Sequence, residues 1–119
     1  MSKILIADDS SFQRRLLTDM IESIGHEVLA VESGQDLLDE IGRNKYDCVC
    51  LDLLMPGMTG VEVLEQLQGQ DGIPPIIVVS ADIQIKKKER CMELGAAAFI
   101  NKATKKEELE EHFNNVIKS

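Results

Sequence analysis

The amino-acid sequence predicts an α/β protein that is built on a five-stranded, doubly wound parallel sheet. Apolar runs rich in β-branched residues alternate with amphipathic helical patterns along the 119 residues, in a β-α order that repeats five times. The apolar runs are nearly continuous, which is typical of parallel strands that helices cover on both faces. Because the crossovers between such strands are right-handed, few topologies remain open.

Five short apolar segments are expected to form the strands. Their length and their content of Val, Ile and Leu favour buried strands over helices. Each segment is followed by polar or turn-forming residues, at which the extended backbone is expected to end. The expected strands cover 3–7, 27–31, 46–51, 75–80 and 97–100.

Helical patterns fill the segments between the strands and carry start and stop signals. The first pattern has an apolar stripe from Phe12 to Ile24, including Leu16, and ends at Gly25, a residue that favours helix C-termini. A weaker pattern in the fourth helix includes Ile85 and Met92. A Ser or Thr that is followed three residues later by Glu or Gln predicts a capped helix start. Such pairs are Ser10 with Gln13, Thr59 with Glu62 and Thr104 with Glu107, and Ser33 with Asp36 is a looser version.

Composition and charge restrict the classes of protein to which the chain can belong. A hydrophobic content of 44% and a charged content of 29% are typical of an ordinary globular domain. A net charge of −8 disfavours nucleic acid as a partner, since phosphate backbones require basic surfaces. The apolar runs are too short to cross a membrane, and no signal peptide is visible. Three cysteines without a paired spacing, Cys48, Cys50 and Cys91, favour a reducing cytoplasm.

Polar residues stand where four of the expected strands end. Asp8 and Asp9 follow the first strand, Asp52 the third and Lys102 the fifth, and Ser80 closes the fourth. The carboxyl ends of parallel strands meet at one edge of the sheet, where ligands bind in folds of this class. Neighbouring carboxylates repel one another unless a cation neutralises them, and an open set of oxygen ligands suits Mg²⁺. The sequence therefore predicts a Mg²⁺ site that is formed by the three aspartates.

Acids, a lysine and a hydroxyl at one edge of a sheet are typical of phosphoryl chemistry. Lys102 and Ser80 are suited to contact phosphoryl oxygens, while a metal ion screens charge. An aspartate can itself be the nucleophile and form an aspartyl phosphate. Each residue alone also has a structural interpretation, since Asp52 can simply end a strand and Lys102 can be solvated. Their joint position at one edge favours the functional interpretation.

With these residues in place, the chain resembles the receiver domain of response regulators, the phosphoacceptor module of two-component signalling. The segments that carry the resemblance are ILIADDS, CLDLLMPGMTG, IIVVSAD and GAAAFINKA, and the similarity covers residues 1 to about 118. The resemblance implies a flavodoxin-like (βα)5 fold with the strand order 2-1-3-4-5. We expect a single receiver domain over residues 1–119, without an output domain.

The resemblance implies a role for each residue at the polar edge. Asp52 would be the phosphorylated aspartate, Ser80 the switch hydroxyl and Lys102 a contact of the phosphoryl oxygens. Phe99 would be the aromatic partner whose rotamer follows Ser80, although a place in the core also explains an aromatic residue in this strand. The chain would catalyse only its own phosphorylation and hydrolysis, so we do not expect an enzyme. The Mg²⁺ ligands would be Asp8, Asp9, Asp52 and the backbone carbonyl of Leu54.

The resemblance also implies the partners. A sensor histidine kinase would supply the phosphoryl group, and phosphorylation would change the binding of a target protein, with a phosphatase as a further candidate partner. The first expectation is a cytoplasmic chemotaxis regulator that signals to the flagellar motor switch. The alternative is a phosphorelay intermediate that passes its phosphoryl group to a histidine phosphotransfer protein. The basic run at 86–90 is either a solvated helix face or part of a docking surface.

Two positions depart from the usual pattern of the family. Lys102 is followed by Ala103 and not by proline, which predicts either a cis peptide bond, at a cost of ~2.5–4 kcal/mol, or a trans bond that shifts Lys102. Leu54 stands where many members have a polar side chain, and together with Asp82 it is expected to govern the access of water to the phosphoryl group. Leu54 also disfavours the alternative of another class, a phosphohydrolase of the haloacid dehalogenase type, which needs an aspartate there. The acidic segment after the first strand disfavours a flavodoxin-like electron carrier.

Overall fold

The computed structural model describes residues 2–82 and 84–117, in which five strands alternate with five helices. All strand pairs are parallel, and the strands lie in the order β2-β1-β3-β4-β5, which confirms both the predicted sheet and the order that the resemblance implies. The elements are β1 (Lys3–Ala7), α1 (Ser11–Ile24), β2 (Glu27–Val31), α2 (Gly34–Arg43), β3 (Cys48–Leu51), α3 (Gly60–Leu67), β4 (Ile76–Ser80), α4 (Ile85–Glu93), β5 (Ala98–Asn101) and α5 (Lys106–Val116).

Two hydrophobic cores cover the two faces of the sheet. Successive residues of the central strands alternate between them, so that Leu5 and Val49 belong to one core and Ile4 and Cys48 to the other. Helices α2, α3 and α4 complete the first core, and α1 and α5 complete the second. Burial on both faces explains the continuous apolar runs of β1, β3 and β4. No helix in the described ranges is long and apolar enough to span a bilayer.

Five apolar residues that the patterns place in the core are exposed instead. Leu29 lies in β2, an edge strand that has a neighbour on one side only. Phe12 is 70% exposed and Leu16 is also exposed, and both lie in the first half of α1, whose one buried residue, Ile21, lies in its second half. Ile85 and Met92 are exposed on α4, whose one buried residue is Cys91.

Three of the four predicted helix starts are confirmed. The side chains of Ser10, Ser33 and Thr59 each accept a hydrogen bond from the backbone N–H three residues later, and Thr59 forms a complete capping box with Glu62. The prediction for Thr104 is wrong. Its N–H donates to the carbonyl of Asn101 in a turn and its hydroxyl donates to Glu108, so α5 begins two residues later, at Lys106. Gly25 ends α1 with a φ of 107°, as predicted.

Gly60 brings the start of α3 against the backbone that follows β3. A Cβ atom at this position would lie 2.6 Å from the carbonyl oxygen of Asp52 and 2.8 Å from the Cα atom of Leu53. The Gly60 N–H donates to the Leu53 carbonyl at 3.0 Å, which fixes the same approach. The position of Asp52 at the edge of the sheet therefore depends on a residue without a side chain at the start of α3.

Replacing Gly60 with Ala is expected to lower the free energy of unfolding by about 1–3 kcal/mol, since the methyl group would overlap backbone atoms. The matched control is Gly42→Ala in α2, where a Cβ atom meets nothing within 4 Å. The control is expected to add roughly 0.5–1 kcal/mol, because Ala favours the helix more than Gly does. Urea denaturation followed by circular dichroism measures both changes. Equal effects of the two variants would contradict the close packing of α3 against Asp52.

Candidate functional site

Buried polar side chains collect at the carboxyl edge of the sheet. Asp8 is 4% exposed, Asp52 is 3% exposed and Ser80 is fully buried, and these three are the buried polar residues of the described chain. They follow or end three neighbouring strands, β1, β3 and β4. A buried charge is costly unless it is paired or binds an ion, so this edge is the part of the molecule that needs a chemical explanation.

Backbone hydrogen bonds hold the two buried carboxylates in register. The Asp52 N–H donates to the carbonyl of Ala7 at 2.9 Å, and the Asp8 N–H donates to the carbonyl of Val31 at 3.2 Å. The ladder of the sheet therefore continues past the ends of β1 and β3 to the aspartates. The Asp8 carboxylate also accepts from the N–H of Ser10 at 2.9 Å, which folds the chain toward α1.

The three aspartates form a group that can hold a metal ion. One carboxylate oxygen of each of Asp8, Asp9 and Asp52 lies within 4.8 Å of the others, and Asp9 is exposed at the rim. Within the described residues, Asp52 Oδ2 is buried and has no hydrogen-bond partner. Three neighbouring carboxylates with so little compensation fit a hard cation such as Mg²⁺, which takes oxygen ligands and keeps several waters. The predicted carboxylate ligands are thus together, while the carbonyl of Leu54 stays a prediction.

Lys102, the residue after β5, reaches both buried carboxylates. Its Nζ atom lies 3.0 Å from Asp8 Oδ2 and 3.3 Å from Asp52 Oδ1, and its N–H donates to the carbonyl of Ser80 at 3.0 Å. No cis peptide bond occurs in the described residues, so the bond to Ala103 is trans. Of the two forms that the departure from proline predicts, the trans form is the observed one, and Lys102 still contacts the aspartates in it.

Charge and burial shift the pKa values of these groups in opposite senses. Burial raises the pKa of Asp52 to about 6, and the neighbouring Asp8 carboxylate adds to the rise while Lys102 opposes it. Burial lowers the pKa of Lys102, but hydrogen bonding to Asp8 and the charge of Asp52 outweigh burial and leave its pKa above the usual value. Lys102 is therefore charged at neutral pH, and Asp52 is the carboxylate whose ionisation is costly.

The remaining predicted residues surround this group. The Ser80 hydroxyl accepts a hydrogen bond from the N–H of Asp82 at 3.0 Å. Phe99 is half-buried and packs against the core that α2, α3 and α4 cover, so its place in the core is confirmed and its switching role stays a prediction. Leu54 has an exposed side chain, and its N–H donates to Asp52 Oδ1 at 3.4 Å.

Two residues at this edge were not predicted from the sequence. Arg14 of α1 donates to the backbone carbonyl of Asp8 at 2.8 Å and fixes the peptide between the two first aspartates. Asn101 accepts from the N–H of Ala103 at 2.8 Å and stabilises the turn after Lys102 that proline usually shapes. An Asn two residues before a turn is a recognisable signal of this kind of side-chain bond. Nothing in the local pattern indicates the contact of Arg14.

Comparison with a family model supports the resemblance that the sequence suggested. The model of the response regulator receiver domain matches residues 4–114. Among solved structures, the chemotaxis protein CheY4 of Vibrio cholerae superposes with a TM-score of 0.90 at 26% identity, covering 98% of this chain and 99% of that one. The response regulator TrrA of Thermotoga maritima, solved with Mg²⁺ and BeF, has a TM-score of 0.88 at 27% identity, covering 98% and 100% of the two chains.

Curated relatives include larger proteins. The chain is 36% identical over 104 residues to the sensory/regulatory protein RpfC of Xanthomonas campestris, covering 84% of the chain and 14% of RpfC. A protein-glutamate methylesterase/protein-glutamine glutaminase of Clostridium acetobutylicum is 39% identical over 120 residues, with coverages of 98% and 35%. The sensor histidine kinase RcsC of Escherichia coli is 32% identical, with coverages of 83% and 10%. The chain thus spans about a third or less of the length of these three curated relatives.

Replacing Asp52 with Asn is expected to stabilise the metal-free protein by about 1–3 kcal/mol above pH 6, since it removes a buried carboxylate that is ionised there. The pKa of Asp52 rises from its usual 3.8 to about 6 in the folded protein. Between these values the folded state binds more protons than the unfolded state, so the parent protein loses stability as the pH rises through this window. The advantage of the variant therefore appears between roughly pH 4 and 6 and stays constant above.

Denaturant titrations in EDTA at several pH values measure this advantage. Asp19→Asn is the matched control, because Asp19 is exposed on α1 and its removal changes the formal charge by the same amount. A variant at Asp52 that is no more stable than this control at pH 8 would contradict the burial of an unneutralised charge.

Proposed function

The chain belongs to the response regulator receiver domain family, and we propose that it accepts a phosphoryl group on Asp52 in a Mg²⁺-dependent reaction. One observation carries the proposal: Asp52 belongs to the group of three carboxylates, and its buried Oδ2 lacks a hydrogen-bond partner among the residues that the structure describes. The other Asp52 oxygen is occupied by Lys102 and the N–H of Leu54. Oδ2 is thus the oxygen that is free to act as a nucleophile.

The proposed reaction begins at Asp52 Oδ2, which has lone pairs available for a new bond. Oδ2 attacks the phosphorus of a phosphohistidine or of a small acyl phosphate, the bond to the leaving group breaks, and an aspartyl phosphate forms. When bound by Asp8, Asp9 and Asp52, Mg²⁺ would supply charge neutralisation on the phosphoryl oxygens. Lys102 holds a positive charge beside both buried carboxylates and would lose its contact with Asp52 Oδ1 to the new phosphoryl oxygens.

We assign the conformational response to phosphorylation to Ser80 and Phe99. Phosphorylation adds roughly −1.5 to −2 charge at the edge of the sheet, which Lys102 and the Ser80 hydroxyl can contact only when it is present. Such a differential contact is what shifts an equilibrium between two conformations. Phe99 lies in β5, next to the strand that Ser80 ends, and its half-buried ring can follow the hydroxyl.

The chain acts as a binding switch and not as an enzyme with external substrates. Hydrolysis of the aspartyl phosphate would be its own, with Leu54 and Asp82 at the rim. A phosphohydrolase of the haloacid dehalogenase type needs an acid two residues after the nucleophile. The exposed apolar side chain of Leu54 occupies that position and offers no proton.

Chemotaxis signalling is the proposed pathway, because a chemotaxis protein of Vibrio cholerae is matched over 99% of its length. A sensor histidine kinase would be the cytoplasmic donor, and a motor switch protein the target. Transfer to a histidine phosphotransfer protein is the second candidate, since larger signalling proteins such as RpfC and RcsC are among the relatives.

Incubation with acetyl phosphate and Mg²⁺ is expected to add the mass of one phosphoryl group to the parent protein, measured by intact mass spectrometry. EDTA is expected to abolish the addition. Asp52→Asn should gain no phosphoryl group, whereas Asp19→Asn, exposed on α1, should be modified like the parent protein. Lys102→Gln should slow the addition by about 10²-fold or more, since it removes a charged donor from the transition state. Modification of Asp52→Asn would show that another residue is the acceptor.

The two pathways predict different fates of the phosphoryl group. With a histidine phosphotransfer domain from the same organism, a relay intermediate would transfer the group within minutes, and a chemotaxis regulator would not. With fluoroberyllate in place of the phosphoryl group, a chemotaxis regulator should bind the motor switch protein more tightly than the unmodified chain does. Transfer to histidine without such binding would replace the proposed pathway by the relay.

A further inference from the structure

The Ser80 hydroxyl is connected to the start of α4 by a short series of polar contacts. The N–H of Asp82 donates to Ser80 Oγ at 3.0 Å. The Asp82 carboxylate in turn accepts from the N–H of Gln84 at 3.1 Å and from Lys87 Nζ at 2.7 Å. Lys87 is the third residue of α4. The contacts therefore lead from the polar edge of the sheet to the first turn of a helix.

The first turn of α4 depends on this carboxylate. Three consecutive lysines, at 86–88, stand at the positive end of the helix dipole, which disfavours cations. The first turn has no acidic residue, and the N-cap residue Gln84 makes no side-chain cap bond. Asp82 supplies the missing negative charge. The hydrogen bond from Lys87, with that from the N–H of Gln84, also holds the pKa of Asp82 below its usual range.

Lys87 differs in this respect from the other basic residues of the run. Arg90 pairs with Glu65 at 3.1 Å and with Glu93 at 3.8 Å, on the side of α3. Lys86 and Lys88 are exposed and form no ion pair within the described part of the chain. Lys87 is thus the basic residue of α4 that acts on the segment beside Ser80.

We propose that Lys87 is a positioning residue that acts through Asp82: together they hold Ser80 Oγ in the turn after β4 and favour the unphosphorylated conformation. Within residues 2–82 and 84–117, the N–H of Asp82 is the one hydrogen-bond partner of Ser80 Oγ. A hydroxyl that moves to a phosphoryl group on Asp52 must leave this turn. The ion pair therefore opposes the movement of Ser80, and its loss should ease phosphorylation-dependent switching. This inference rests on the proposed function in its second part, the role of Ser80 as a switch.

The positioning itself can be tested without metal or phosphoryl group. Amide hydrogen exchange measured by NMR should be about two- to fivefold faster at Asp82 in Lys87→Gln than in the parent protein, the range that a partly exposed ion pair can supply. Lys88→Gln is the matched control, since it removes the same charge from the same helix turn without breaking an ion pair between described residues. Asp82→Asn should resemble Lys87→Gln, and the double variant should show no further increase. Equal exchange in Lys87→Gln and Lys88→Gln would overturn the proposal.

The effect on the switch is measured with fluoroberyllate and Mg²⁺, which together mimic the phosphoryl group. The concentration that converts half of the protein, read from the amide spectrum of β5 and α4, should be about two- to fivefold lower in Lys87→Gln than in Lys88→Gln. An unchanged or higher concentration would overturn the link between the ion pair and switching. If the parent protein shows no response to fluoroberyllate, the proposed function fails, and the exchange rate of the Asp82 amide still decides whether Lys87 positions Ser80.

Discussion

Buried negative charge at one edge of the sheet is the constraint on which the rest of the structure depends. Asp8 and Asp52 lie almost wholly inside the protein, and Lys102 contacts both. One ammonium group cannot neutralise three neighbouring carboxylates, and Asp52 Oδ2 has no hydrogen-bond partner in the described ranges of the chain. The divalent cation proposed for this edge and the expected cost of the metal-free edge to folding therefore have one physical origin.

The fold tolerates this charge because it is placed on the most firmly held part of the molecule. β1 and β3 are central strands, and their apolar residues are buried in the two cores on opposite faces of the sheet. The hydrogen-bond ladder continues beyond the strands, so the backbone of Asp52 is fixed against that of Ala7. Gly60 then brings α3 against the carbonyl of Asp52. The backbone atoms of Asp8 and Asp52 are thus held in register with the sheet, and the two side chains start from neighbouring positions.

Most of the polar edge could be predicted from the sequence, because the carboxyl ends of parallel strands must meet. That rule places Asp8, Asp52, Ser80 and Lys102 together before any side chain is located. Contacts that depend on side-chain reach were missed, such as the bond from Arg14 to the Asp8 carbonyl. The exposure of Phe12 was missed for another reason, since the period of a helix shows which residues share a face but not how much of that face is covered. At Thr104 the capping pattern was present, but the N–H of this residue donates to the Asn101 carbonyl in the turn after β5. The helix therefore begins at Lys106.

The contacts between the polar edge and α4 run from Ser80 through Asp82 to Lys87. A switch between two conformations requires that these contacts can break at a small cost in free energy. A buried ion pair between Asp82 and Lys87 would fix one conformation, because breaking it would leave an uncompensated charge inside the protein. The observed pair is partly open to water, with Lys87 more exposed than Asp82. Such a pair contributes about 0.2–1 kcal/mol, which biases an equilibrium without locking it. The basic run of this acidic chain lies on α4, which also carries the exposed side chains of Ile85 and Met92. The ion pair thus connects the position of Ser80 to a helix with exposed basic and apolar groups. In the proposed switch, a change of charge at Asp52 would be converted into a change in which apolar and basic groups α4 presents to a partner protein.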